Sequence, residues 1–95
     1  MLVLITYDVN TETVEGRKRL RKVAKTCQNY GQRVQNSVFE CEVDSTLLIK
    51  IKNELTKIVD ERTDSLRFYN LGNSHKNVEH FGAKSSFDVM GSLIV

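Results

Sequence analysis

One acidic residue stands where a catalytic or metal-binding group would be well held. Asp8 closes an otherwise apolar segment that begins at Leu2, and such a segment predicts a buried β-strand. A carboxylate at the end of a buried strand is fixed in position yet reaches the edge of the sheet, which suits a ligand of a hard divalent cation. The same position suits an aspartate that forms a turn. Asp8 is therefore a candidate catalytic residue and metal ligand, with the turn as the alternative.

The segment after Asp8 carries many cations and few acids, and its apolar residues have the spacing of an amphipathic helix. The cations would occupy the exposed face of that helix, which can be merely solvated or can bind a phosphodiester backbone electrostatically. Because the cluster follows the strand that ends in Asp8, we expect it to bind nucleic acid. The cations are Arg17, Lys18, Arg19, Arg21, Lys22 and Lys25, with Arg33 near the start of the next strand. The candidate contacts are Arg17, Arg19, Lys22 and Arg33.

Asp8 alone would be a weak site for Mg²⁺, which keeps several waters and usually takes one or two carboxylates together with substrate phosphates. A two-fold axis near the end of the first strand would bring two copies of Asp8 to one site. Such a site could orient a water, lower the pKa of that water and neutralise phosphate charge. Without a metal the two carboxylates would repel each other, and one pKa would rise.

Other polar and aromatic residues have simpler interpretations. Tyr7 and Phe39 could stack near the site, although core packing explains both equally well. Asp60, Glu61 and Asp64 have the pattern of a charged run at a helix end. The sequence contains no phosphate-binding GxxxxGK[ST], no GxSxG and no HExxH, which excludes the function classes that depend on those motifs.

The composition is that of one soluble globular domain, with 95 residues, a net charge of +2 and 40% hydrophobic residues. No apolar run approaches the roughly 20 residues that span a bilayer, and the first apolar segment lacks the basic leader and cleavage site of a signal peptide. Cys27 and Cys41 have no CxxC spacing and are expected to be reduced core residues. We therefore expect a cytoplasmic protein without a membrane partner.

Hydrophobic periodicity predicts the order strand, helix, strand or hairpin, helix, strand. Thr11 or Thr13 would cap the first helix, and Asn36 with Ser37 offers a weak turn signal within the extended segment. The predicted segments are a strand over 2–9, a helix that ends at residue 30, an extended stretch over 32–43, a helix from 44 or 45 to 59, and a strand over 66–71.

With the hairpin, this order is βαββαβ, the ferredoxin-like α+β fold with two helices on one face of an antiparallel sheet. Two helices cover only one face, yet the first strand is apolar on both, so we expect a homodimer packed through its sheets. The domain would span 1–72, and 73–95 would form a C-terminal tail. Its apolar segment from Val78 to Phe81 would add a strand either to the partner's sheet or to its own.

Three parts of the sequence resemble the CRISPR-associated protein two family. They are the segment from Leu2 to Val9 with its Tyr-Asp pair, the Arg/Lys-rich helix, and the segment from Gly31 to Glu40 with its RVQxSVFE pattern. The resemblance extends over nearly the whole chain. The YD and RVQxSVFE motifs together are far more specific than the acid or the basic helix alone.

The resemblance implies a ferredoxin-like homodimer whose tail strand is exchanged onto the partner, and it favours the hairpin. It also implies a metal-dependent endonuclease that acts on RNA or double-stranded DNA. Asp8 would be the ligand of Mg²⁺ or Mn²⁺ at a site shared between protomers. Tyr7, Arg33 and Phe39 match other motif positions near the site, whereas the helix arginines match less cleanly.

Together with these residues, the resemblance implies two functions, and a third is remote. The first is a phosphodiesterase of the CRISPR adaptation machinery, which acquires new spacers. The alternative is a non-catalytic DNA-binding scaffold dimer that bridges the subunits of the CRISPR integrase, for which catalysis by Asp8 would be dispensable. The remote option is a toxin-like messenger-RNA interferase.

Overall fold

The computed structural model describes residues 1–72 and 78–83. Its strands form one sheet in the order β2-β3-β1-β4-β5, and every neighbouring pair is antiparallel. The elements are β1 (Leu2–Asp8), α1 (Val14–Tyr30), β2 (Gln32–Gln35), β3 (Val38–Glu42), α2 (Ser45–Ile58), β4 (Ser65–Asn70) and β5 (Val78–Gly82). The predicted ferredoxin-like α+β fold, including the β2–β3 hairpin, is confirmed.

Strand β1 lies at the centre of the sheet, between β3 and β4. Val3, Ile5 and Tyr7 are buried, whereas the residues between them are half-buried and Asp8 is exposed. Successive side chains of a strand point to opposite faces, so the odd-numbered residues face the helices and the even-numbered ones face away. We call the face without helices the open face, and Asp8 stands on it.

The core lies between the sheet and the two helices, and it forms one continuous cluster. Helix α1 contributes Val23 and Cys27, and α2 contributes Ile51 and Leu55, each with none of its surface exposed. Both cysteines are free and buried, as expected, and burial raises the pKa of the Cys27 thiol to about 12. The thiol is therefore protonated at neutral pH and unreactive, because only the thiolate is a good nucleophile or metal ligand.

The ends of the helices are determined by polar residues. Thr13 caps α1, since its hydroxyl accepts the Gly16 N–H at 2.9 Å, which decides between the two predicted threonines. Asp44 caps α2 by accepting the Leu47 N–H at 2.8 Å. Such caps satisfy N–H groups that have no partner within the helix. Within the part of the chain that the structure describes, neither helix is long and apolar enough to cross a membrane.

Strand β5 lies in the predicted tail and pairs with β4 of its own chain, with Val78 opposite Tyr69 and Gly82 opposite Ser65. The strand itself is confirmed, and its exchange onto a partner's sheet stays a prediction. The division of the chain at residue 72 also stays a prediction, although β5 extends the same sheet beyond it. The apolar residues of the tail beyond 83 lie outside the described residues.

Gly82 closes β5 in a backbone conformation that favours glycine. Its φ is 107°, and a Cβ atom there would lie 2.1 Å from the carbonyl oxygen of Asp64. We expect Gly82→Ala to lower the free energy of unfolding by more than about 1 kcal/mol, measured by urea denaturation.

Gly72→Ala is the matched control, because its Cβ would meet no atom closer than 3.4 Å. That variant should stay within about 0.5 kcal/mol of the parent. Equal losses of stability for the two variants would contradict this account of Gly82.

Candidate functional site

Asp8 is the last residue of the central strand and is exposed on the open face. On one side it pairs with Ser65 of β4. On the other side, the ladder with β3 ends at Thr6 and Val38, so the carboxylate lies beyond the last of these pairs. This is the predicted placement, at the end of a buried strand and within reach of solvent.

Asp8 has few acidic neighbours in the part of the chain that the structure describes. Among residues 1–72 and 78–83 there is no group of three or more His, Cys, Asp or Glu side chains that could hold an ion. Glu40 of β3 pairs with Leu4, four positions from Asp8, or about 13 Å at the usual rise of a strand. A single Asp8 fits Mg²⁺ only in company with phosphate oxygens or a second carboxylate. Its role as a ligand stays a prediction.

Tyr7, the neighbour of Asp8, points into the core. Its ring stacks on Phe39 with the centroids 6.1 Å apart and the planes 24° apart. Its hydroxyl donates to the carbonyl oxygen of Asn36 at 3.3 Å. Burial raises the pKa of Tyr7, while the charge of Arg33 acts to lower it. Tyr7 is therefore a neutral phenol at physiological pH, and it anchors the turn of the β2–β3 hairpin.

Arg33 lies in the same cluster. Its guanidinium carbon lies 4.9 Å from the centroid of the Phe39 ring, and its Nη1 donates to the Asn36 carbonyl oxygen at 2.6 Å. The predicted neighbours of the site, Tyr7, Arg33 and Phe39, are thus in contact with one another. They lie on the helix side of the sheet, whereas the carboxylate of Asp8 is on the open face.

The interpretation of Asp64 as part of a charged run at a helix end is wrong. Its side chain is fully buried, with 0% of its surface exposed. It accepts hydrogen bonds from Arg19 Nε at 2.8 Å, from the backbone N–H groups of Asn10 and Asp60 at 2.9 Å each, and from the Thr63 hydroxyl at 3.1 Å. We call Asp64 and Arg19 the buried ion pair because its carboxylate is buried, although the Arg19 side chain keeps 21% of its surface exposed.

A signal for the burial of Asp64 was present in the sequence. Residues 64, 66 and 68 share one parity, and Leu66 and Phe68 are core residues of β4. Extending the alternation of that strand by one step toward its start places Asp64 on the buried face. The partner of Asp64 was not predictable in this way, because Arg19 is 45 residues distant in the chain.

The buried ion pair limits what Arg19 can offer to a ligand. A buried carboxylate is costly unless it is paired and hydrogen-bonded. Burial acts to raise the pKa of Asp64, but the bonds from Arg19, Asp60 and Asn10 lower it below its usual value. Arg17 is also engaged, since its Nη1 donates to the Thr11 carbonyl oxygen at 3.1 Å. The predicted contact of both arginines with nucleic acid stays a prediction.

Other cations of α1 are not engaged in this way. Four of them surround a groove of about 430 Å³ between α1 and the end of α2, which we call the cationic groove. None of the four forms an ion pair with an acid among the described residues. The groove is lined by Lys18, Arg21, Lys22, Lys25, Thr26 and Ile58.

The comparisons with known proteins agree with one another. Residues 1–78 match the family model described as CRISPR associated protein Cas2. The chain is 67% identical to a protein of Halalkalibacterium halodurans named CRISPR-associated endonuclease Cas2, covering 99% of both chains. It is 59% identical to a protein of Chlorobaculum tepidum named CRISPR-associated endoribonuclease Cas2, covering all of both. The fold is similar to the crystal structure of Streptococcus pyogenes Cas2 at pH 6.5, with a TM-score of 0.71, 65% identity, and coverage of 83% of this chain and 96% of that one.

The lowered pKa of Asp64 predicts a decrease of stability in acid. The unfolded chain binds a proton near the ordinary value of 3.8, whereas the folded chain releases it at a lower pH. Asp64 therefore contributes stability above about pH 4, and this contribution disappears as the pH falls through the folded pKa. In urea titrations, the stability difference between the parent and Asp64→Asn should be larger at about pH 7 than at about pH 3, because the contribution of Asp64 begins to be lost below about pH 4.

Asp60→Asn is the control for this measurement. Its carboxylate pairs with the exposed Arg62, which also lowers the pKa of Asp60. Exposed pairs contribute little to stability, so the difference between the parent and Asp60→Asn should change with pH less than that for Asp64→Asn. A difference between the parent and Asp64→Asn that is the same at both pH values would contradict an ionised, paired Asp64.

Proposed function

Because this chain belongs to the CRISPR associated protein Cas2 family, we propose that it is a metal-dependent endonuclease that hydrolyses phosphodiester bonds of double-stranded DNA, single-stranded RNA or both. The observation that carries the proposal is the exposed Asp8 carboxylate at the end of the central strand. We further propose that it acts in the cytoplasm, within the CRISPR adaptation machinery that acquires new spacers.

The proposed active unit is a homodimer packed through the open faces. The open face is partly apolar: Leu4 lies between Glu40 and Tyr69, and Val38 lies opposite Thr6. Both Leu4 and Val38 are only half-buried in the single chain, so a second copy would remove apolar surface from water. Packing of these faces around a two-fold axis supplies the second Asp8 that one chain lacks.

In this proposal Asp8 of both protomers holds Mg²⁺ or Mn²⁺. When bound, the ion would lower the pKa of a water molecule and would neutralise phosphate charge. The contribution of the protein itself is positioning. Tyr7 fixes the strand end from the core. Its ring stacks on Phe39, and its backbone N–H donates a hydrogen bond of 3.1 Å to the Ser37 carbonyl oxygen. The Asp8 side chain is thereby presented to the open face from a rigid support.

Replacing the carboxylate tests this proposal. Asp8→Asn keeps the size of the side chain and removes its charge, so the fold and nucleic-acid binding should persist. Cleavage that depends on Mg²⁺ should fall by at least about 100-fold, since a metal ligand contributes several kcal/mol to the transition state. The measurement is cleavage of matched RNA and duplex DNA, with and without Mg²⁺ or Mn²⁺.

Glu61→Gln is the matched control, because it removes one exposed negative charge from the turn after α2, outside the open faces that would pack in the dimer and without touching Asp8. It should cleave like the parent. Dimers that combine one parent chain and one Asp8→Asn chain should have less than half the parental activity if the site is shared. Full cleavage by Asp8→Asn would refute the mechanism.

A second candidate function is a DNA-binding scaffold dimer that bridges the subunits of the CRISPR integrase. The cationic groove favours it, because the groove lies on the helix layer and Asp8 lies on the open face beyond the sheet. Nucleic acid held along this groove would run past the helices, away from Asp8 of the same chain. Binding of this kind is electrostatic and independent of sequence.

The groove cations should account for the salt dependence of binding. Lys18→Gln with Lys22→Gln should weaken duplex binding and reduce the slope of log K against log [salt] by about 0.9 for each phosphate that the variant no longer neutralises. Lys57→Gln removes one exposed cation from α2, outside the groove, and should leave the slope unchanged. An unchanged slope in the double variant would exclude the groove as the binding surface.

A further inference from the structure

We infer that Asp64 is a positioning residue for Asp8: with Arg19 it fixes the point at which the chain leaves β1, and hence the direction of the Asp8 side chain. The test of this inference by cleavage activity rests on the proposed nuclease function. Asp64 itself is fully buried, so it would act only through the backbone that it holds.

Asp64 lies beside the end of β1 that carries Asp8. Ser65, the residue after Asp64, is the β4 partner of Asp8 in the sheet. Asn10, whose N–H donates to Asp64 Oδ1 at 2.9 Å, is two residues after Asp8. Asp64 therefore fixes the strand beside Asp8 and the turn that follows it.

The turn that contains Asn10 is also confined from the helix side. A Cβ atom at Gly16 would lie 1.9 Å from the carbonyl oxygen of Asn10, so the first turn of α1 packs directly against this backbone. Arg19, one turn later on the same helix, donates to Asp64 Oδ2 through Nε at 2.8 Å. The backbone of Asn10 is thus enclosed between α1 and the buried ion pair.

A charged side chain at position 64 makes contacts that an apolar side chain could not make. Replacing a buried ion pair by well-packed apolar residues is often neutral or stabilising, so stability alone does not require one. An ionised carboxylate, however, binds N–H groups directionally and strongly. Its oxygens hold the N–H groups of Asn10 and Asp60, which orients the turns at the ends of β1 and α2 relative to each other.

The activity test separates positioning from binding. Asp64→Asn has the same shape but no charge, and we expect the turnover number for metal-dependent cleavage to fall at least about tenfold with KM changed less than about twofold. Arg19→Met should behave alike, and Arg19→Lys, which keeps the cation, should recover part of the turnover. All variants are assayed as dimers at a temperature at which circular dichroism shows them folded.

Tyr30→Phe is the matched control, since it removes a 2.9 Å hydrogen bond between Tyr30 and Glu54 that links the helices away from Asp8. It should lower the melting temperature without changing turnover. The inference is wrong if Asp64→Asn and Tyr30→Phe have equal turnover when they are compared under conditions of equal loss of stability. It is also wrong if Arg19→Met raises KM and leaves turnover unchanged.

Amide hydrogen exchange tests the same inference without any need for cleavage. In folded Asp64→Asn the amides of residues 8–11 should exchange at least about tenfold faster than in the parent, while those of Tyr30→Phe should not. Unchanged exchange of residues 8–11 would overturn the inference. If the parent does not cleave in Mg²⁺ or Mn²⁺, the proposed nuclease function fails, and the exchange result alone decides the role of Asp64.

Discussion

A carboxylate that is fully shielded from water stays ionised only when hydrogen-bond donors surround it, and at Asp64 separate parts of the chain provide them. Arg19 comes from α1, Asn10 from the turn after β1, and Asp60 from the turn after α2. Movement of any of these segments would remove a hydrogen bond from the buried carboxylate, and movement of α1 would also remove its ion pair. The placement of both helices relative to the end of β1 therefore depends on this group, as does the support beneath Asp8.

The alternation of side chains along β1 separates two tasks at one strand end. Tyr7 points to the helices, where it stacks on Phe39 and binds the hairpin turn, and Asp8 points to the open face. The rigid packing of the core thus positions an acid that the core itself does not bury. At the end of this central strand, the aromatic residue Tyr7 consequently holds the backbone against the core, and the neighbouring Asp8 exposes its carboxylate on the open face.

Much of the fold was predictable, because it depends on local patterns. Periodicity located both helices, Thr13 and Asp44 appeared among the predicted caps, and the β2–β3 hairpin formed where Asn36 and Ser37 indicated a turn. The surroundings of Asp8 were less accessible, because they depend on pairs distant in sequence. The partner of Asp64 lies in another element, and a charged residue before a strand resembles any solvated turn until the parity of β4 is followed back to it.

The same long-range pairs change the interpretation of the basic helix. A count of its cations treats them as equivalent, yet Arg17 and Arg19 donate to acceptors within the chain. The side chains that converge on the groove without an acidic partner among the described residues are mostly lysines, and Lys22 is among them. A lysine acts as a compact, hydrated point charge, whereas arginine provides the planar fork that reads a specific acceptor geometry. Arg17 and Arg19 therefore suit contacts with fixed acceptors within the chain. The lysines of the cationic groove suit binding to a phosphate backbone without recognition of the base sequence.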